Sequence, residues 1–182
     1  MNEAKKSLIF LTEWVLEKSS FSDEVQKSLV KDYVLWKWTA GFDEETKFQG
    51  CRFWSKQSFE KWKATCRKFK SGKKSGKFSK GKTNGLRHDH VVPRAFIFNK
   101  LRNNSNGKIS GILECLSFGC VLTHDEDERL NGNLKDTMPE GWKDVWDRYR
   151  VAFRDKGITI FEISWPDAKI IKIILDMPQN ES

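Results

Sequence analysis

The sequence predicts an α+β fold, mainly helical, and three observations carry that expectation. Apolar residues recur at helical spacing over the first forty residues. Short β-branched runs near residues 86 to 93 and 120 to 123 read as strands. Two further apolar runs close the chain. A chain of 182 residues with 38% hydrophobic residues, 8 Trp and 13 Phe among them, can bury a core without cross-links.

Within residues 3 to 17, Leu8, Leu11, Val15 and Leu16 lie near helical spacing, so the segment is expected to be an amphipathic helix and not a signal peptide. A second helix is expected after Ser22, a natural N-cap with Asp23 and Glu24 in the first turn, and to end by Gly41. A third is expected over 55 to 69, with Phe59, Trp62 and Cys66 on one side and lysines on the other. Leu86 to Pro93 is a strand stopped by proline. Helical segments around Phe96 to Leu101 and Ile109 to Leu116 follow, and Cys120 to Thr123 is the next strand. Thr123 is placed to cap an acidic helix that opens with HDEDERL. A helix near Val145 to Phe153 precedes the runs Ile158 to Ile163 and Ala168 to Leu175, which are expected to pair as strands. The resulting partition is a helical region over 1–66, a lysine- and glycine-rich loop over 67–85, a strand–insertion–strand–helix core over 86–135, and a C-terminal helix with a strand pair over 136–182.

No apolar run reaches the length of a bilayer crossing, so no membrane partner is expected. Cys51, Cys66, Cys115 and Cys120 form no CxxC pair, which fits a reducing cytoplasm better than a disulfide framework. Charge is unevenly placed. Residues 46 to 87 hold fourteen Lys or Arg against the single acid Glu60, a local charge of +13 in a chain of +8, so the remainder sums to −5. A concentrated positive segment attracts polyanions, nucleic acid first among them. Lys73, Lys74, Lys77, Lys80 and Lys82 in the loop, with Arg87 and Arg94 beyond it, are the candidate phosphate contacts. A solvated linker is the alternative for that loop.

Chemistry concentrates at Arg87-His88-Asp89-His90-Val91-Val92-Pro93. Phosphodiester hydrolysis needs a divalent ion to neutralise developing charge and a base that titrates near neutrality. Asp and His supply both. All three histidines of the chain, His88, His90 and His124, fall in this stretch or at the start of the acidic helix. A structural zinc site from Cys115, Cys120, His124 and His88 or His90 is the competing reading, although Cys-x4-Cys is not the usual spacing.

DHVVPR followed by CVLTHDEDERL resembles the HNH, or His-Me finger, endonuclease superfamily over about 45 residues, 86 to 131. The resemblance implies a ββα-metal core between the N-terminal helical region and the small C-terminal β element. It further implies a Mg2+- or Mn2+-dependent endonuclease acting on DNA more readily than RNA. His90 would be the general base and Asp89 a metal ligand. Asp127 would be the second ligand, with Glu128 and His124 as alternatives. The family's middle Asn would fall at Phe118 or Gly119, so a backbone carbonyl or another side chain must orient His90. That departure motivates the alternative of a catalytically weak or inactive HNH-fold protein that binds nucleic acid. A protein-interaction partner is a third possibility. Oligomeric state has no signature in the sequence.

Overall fold

The computed structural model describes residues 2–18, 20–40, 48, 51–69, 85–103, 108–164 and 169–179. The chain is α+β, with helices predominating around one five-stranded mixed sheet. Helix α1 (Glu3–Glu13), capped by the Asn2 side chain, widens into π-helical turns over Trp14–Lys18. Ser22 caps α2 (Asp23–Lys27) as its sequence position predicts, and π-helical turns over Ser28–Val34 continue into α3 (Leu35–Ala40). These elements bury Leu8, Val15, Val30, Val34 and Leu35 against Ile97, Leu101, Ile109 and Leu113. The latter come from α5 (Arg94–Asn103) and α6 (Ile109–Leu116), the two helices inserted between the core strands.

The sheet order is β2 (Leu86–His90), β3 (Gly119–Thr123), β1 (Phe53–Ser55), β4 (Ile158–Ser164), β5 (Lys169–Met177). β2 and β3 are antiparallel with Asp89 opposite Cys120 and His90 opposite Gly119. β4 and β5 pair antiparallel as expected, with Ile160 opposite Leu175. The expected C-terminal β element meets the core strands through β1. This strand, absent from the sequence reading, lies parallel to β3 and antiparallel to β4, and so joins the core strands and the C-terminal pair into one sheet. All three of its residues are buried, so it has no alternation to betray it.

Side chains of alternate parity line the two sheet faces. One face, with Trp54, Leu86, Val121 and Ile163, packs on Phe59 and Trp62 of α4 (Lys56–Phe69). The other, with Phe53, Cys120, Leu122 and Ile160, packs on Leu130 of α7 (His124–Leu134) and Tyr149 of α8 (Asp147–Ala152). Gly157, at φ +67°, turns the chain from α8 into β4 where a Cβ would meet the Met177 carbonyl oxygen at 2.4 Å.

Candidate functional site

The strand period decides the geometry of the acid–histidine motif. Neighbours on a strand point to opposite faces, so His88 and His90 lie on one side of β2 and Arg87 and Asp89 on the other. His88 and His90 stack with ring centroids 4.9 Å apart, and Trp36 of α3 covers His88 at 4.5 Å. His90 is buried, with Nε2 3.1 Å from both the Leu35 carbonyl oxygen and Thr39 Oγ1. A carbonyl can only accept, so Nε2 carries a proton. Burial holds its pKa down at about 3, despite the Leu35 hydrogen bond that favours the charged form. The group that orients His90 therefore comes from α3. At Gly119, one of the two positions expected for the resembled family's Asn, a Cβ would lie 2.9 Å from His88 Nε2, 3.0 Å from Thr39 Cβ and 3.1 Å from Cys51 Sγ.

On the opposite face, Asp89 is buried against α8. Arg148 Nη1 donates to Asp89 Oδ1 at 3.1 Å and Oδ2 at 3.0 Å, and the Tyr149 hydroxyl donates to Oδ2 at 2.7 Å. Burial raises the Asp89 pKa above the usual carboxylate value, and Arg148 and Tyr149 pull it back. Arg148 is itself buried and spends its remaining donors on carbonyl and amide oxygens. Nη1 reaches the His90 carbonyl oxygen at 2.9 Å, Nε the Leu134 carbonyl oxygen at 2.7 Å, and Nη2 Asn131 Oδ1 at 3.2 Å.

Asp127, on the first turns of α7, is half-buried on this same side. Burial raises its pKa, opposed by a hydrogen bond from Asn131 and by the positive charges of Arg87 and Arg148. The Asp127 charge adds a small upward push to the Asp89 pKa. His124 and Glu128 are paired with each other at 3.2 Å on the exposed side of α7, and His124 lies near enough to Asp127 to pull its pKa down. Between them in sequence, Glu126 is buried in a capping box with Thr123 and also accepts from Ser55 Oγ at 2.6 Å. Arg94 is tied to the Lys31 carbonyl oxygen and to Asp32. Arg87 is half-buried beside Asp127. Lys73, Lys74, Lys77, Lys80 and Lys82 lie outside the described residues. The cysteines and histidines of the zinc alternative are dispersed: Cys115 is exposed on α6, and Cys120 is buried on the Asp89 face, across the sheet from His88 and His90.

The residues present do not fit a divalent ion in this arrangement. Both oxygens of Asp89 are engaged by donors from α8, and the imidazole that would activate water lies across the sheet from that carboxylate. Arg148, Tyr149 and Asn131 are the site residues that the sequence reading missed. A signal existed for Arg148: it shares the i, i+3, i+4 and i+7 spacing of Val145, Tyr149 and Ala152, and a charge on an apolar stripe requires a buried partner.

Comparison of the chain with protein-family models, curated proteins and solved structures gives no match. Among the described residues, no helix is long and apolar enough to cross a membrane.

Proposed function

We propose that this chain binds nucleic acid through its basic segment and that the acid–histidine motif serves the architecture beneath that surface. The observation that carries the reading is the charge placement: +13 over residues 46 to 87 against −5 for the rest. Within the described part of that segment, Lys56, Lys61 and Lys63 are exposed along α4, whose other side is anchored by Phe59 and Trp62. Exposed lysines meet a phosphate backbone without choosing a base sequence. Fluorescence anisotropy with labelled duplex DNA, single-stranded DNA and RNA tests this. The affinity is expected to fall linearly with salt on logarithmic axes, by about 0.9 per contacted phosphate for duplex DNA. Lys56→Gln, Lys61→Gln and Lys63→Gln together are expected to flatten that slope. Salt-independent binding, or none to any of the three, would end the proposal.

One observation favours a second reading, a metal-dependent endonuclease of HNH type. β2, β3 and α7 come in the order strand, strand and helix, with α5 and α6 inserted between the strands, and β2 pairs antiparallel with β3. Plasmid nicking in Mg2+ or Mn2+ that is abolished by EDTA and by His90→Ala would establish this reading in place of an inert scaffold.

A further inference from the structure

The chain leaves two neighbouring parallel strands in opposite directions. β1 ends at Ser55 and runs straight into α4 on one face of the sheet, whereas β3 ends at Thr123 and runs straight into α7 on the other. Parallel neighbours whose following helices part in this way open a crevice beyond their carboxyl ends, and such crevices are where open sheets hold ligands. A cleft of about 180 Å3 lies at this point, bounded by Lys56 of α4, Glu126 of α7, Lys156 and Gly157 before β4, and Gln179 after β5. Its charged lining is two lysines and one carboxylate.

Lys56 and Lys156 are exposed, and neither has an ion-pair partner among the described residues. Glu126 is buried, and every hydrogen bond its carboxylate accepts among the described residues goes to Oε2. The donors are the Thr123 amide at 2.7 Å, the Thr123 hydroxyl at 3.1 Å and Ser55 Oγ at 2.6 Å. They answer its charge and hold the carboxylate still, which leaves Oε1 to accept from whatever enters the cleft that Glu126 lines. A fixed acceptor beside two ammonium groups matches a ligand that carries a hydroxyl near a phosphate. A phosphate monoester, at about −1.5 to −2 near neutrality, answers both lysines, whereas each internal phosphate of a nucleic-acid strand carries a single charge. We propose that the cleft binds a nucleoside monophosphate, free or as the phosphorylated end of a strand, with Lys56 and Lys156 on the phosphate and Glu126 Oε1 accepting from a sugar hydroxyl. The choice of a nucleoside over another phosphorylated alcohol rests on the nucleic-acid reading above; the phosphate and hydroxyl contacts do not.

Isothermal titration calorimetry of the full chain with adenosine monophosphate, adenosine and 2′,3′-dideoxyadenosine monophosphate tests this, beside anisotropy with one oligonucleotide bearing a 5′-phosphate or a 5′-hydroxyl. One equivalent of the monophosphate is expected to bind, and adenosine is not. The dideoxy analogue is expected to bind about tenfold more weakly, because it leaves Glu126 Oε1 without a donor. Lys156→Gln, which lies outside the basic segment, is expected to weaken the monophosphate about tenfold while the 5′-hydroxyl strand binds as it does to wild type. Tighter binding of the 5′-phosphate strand makes strand ends the source of the ligand, and monophosphate binding without that gain makes it the free nucleotide; both support the cleft. Adenosine or the dideoxy analogue bound as tightly as the monophosphate overturns the inference, as does Lys156→Gln binding the monophosphate like wild type. So does salt-sensitive binding of both strands alike with no heat from the monophosphate, which leaves the nucleic-acid reading standing. One equivalent of monophosphate in a chain that binds neither strand supports the cleft and ends that reading.

Discussion

His90 and Arg148 are both buried, and each makes a prediction of opposite character. The unfolded chain takes a proton on the His90 imidazole near pH 6.5, whereas the folded chain resists it until about pH 3. Between those values the unfolded state binds more protons, so stability falls as the pH is lowered through this window. Urea midpoints are expected to drop from pH 6.5 towards 3. His90→Gln, whose amide can still donate to the Leu35 carbonyl, is expected to show a shallower drop; equal slopes in the two proteins would mean that His90 is not held neutral. Arg148 instead matters at every pH near neutrality. Removing one member of a buried ion pair strands the other, so Arg148→Ala is expected to cost about 3 to 5 kcal/mol in urea denaturation. Tyr149→Phe, which removes one donor from Asp89 and leaves Arg148 in place, is expected to cost about 1 to 3 kcal/mol.

Among elements, the junction of α4 and α7 is the most informative, because one hydroxyl serves both helices. Ser55 Oγ accepts from the Ser58 amide at 3.1 Å, capping α4, and donates to Glu126 Oε2, whose carboxylate closes the capping box of α7. Ser55→Ala is expected to cost about 1 to 3 kcal/mol, and a double-mutant cycle with Glu126→Gln should give a coupling energy well away from zero. The sequence made one of these caps legible and hid the other. Thr123 announces α7 because the acids it needs stand immediately after it, and Ser22 announces α2 for the same reason. β4 and β5 were likewise legible from their apolar runs. β1 was not: Phe53-Trp54-Ser55 is three residues long, wholly buried, and set in a lysine-rich stretch that reads as surface. The site divides in the same way. The alternation that sends Asp89 and His90 apart follows directly from their being consecutive on a strand. The partners that hold each of them, Arg148 and Leu35, lie more than fifty residues away in opposite directions along the chain. Local pattern has no access to such pairs.

For the molecule as a whole, the two rims of the sheet differ. On β2, His88 and His90 pack against Trp36, Leu35 and Thr39 of α3, whereas β5 is an outer strand that exposes Ile170 at 45%, Ile171 at 58% and Ile173 at 56%. An apolar outer strand invites pairing with another chain, with Lys169 and Lys172 as the charges that oppose it. Ile171→Lys is expected to raise the concentration at which light scattering detects association, with little change in the urea midpoint. The centre of the sheet carries a different consequence, one of timing. In the sheet Phe53 pairs with Cys120 on one side and Glu162 on the other, both far later in the chain. While the ribosome makes this protein, its middle strand leaves the exit tunnel long before either neighbour has been synthesised. Trp54 must wait in water or in the keeping of a chaperone. Nascent chains stalled before residue 158 should therefore be cut readily by protease around residues 51 to 55, and protection there should arrive only once β4 has emerged.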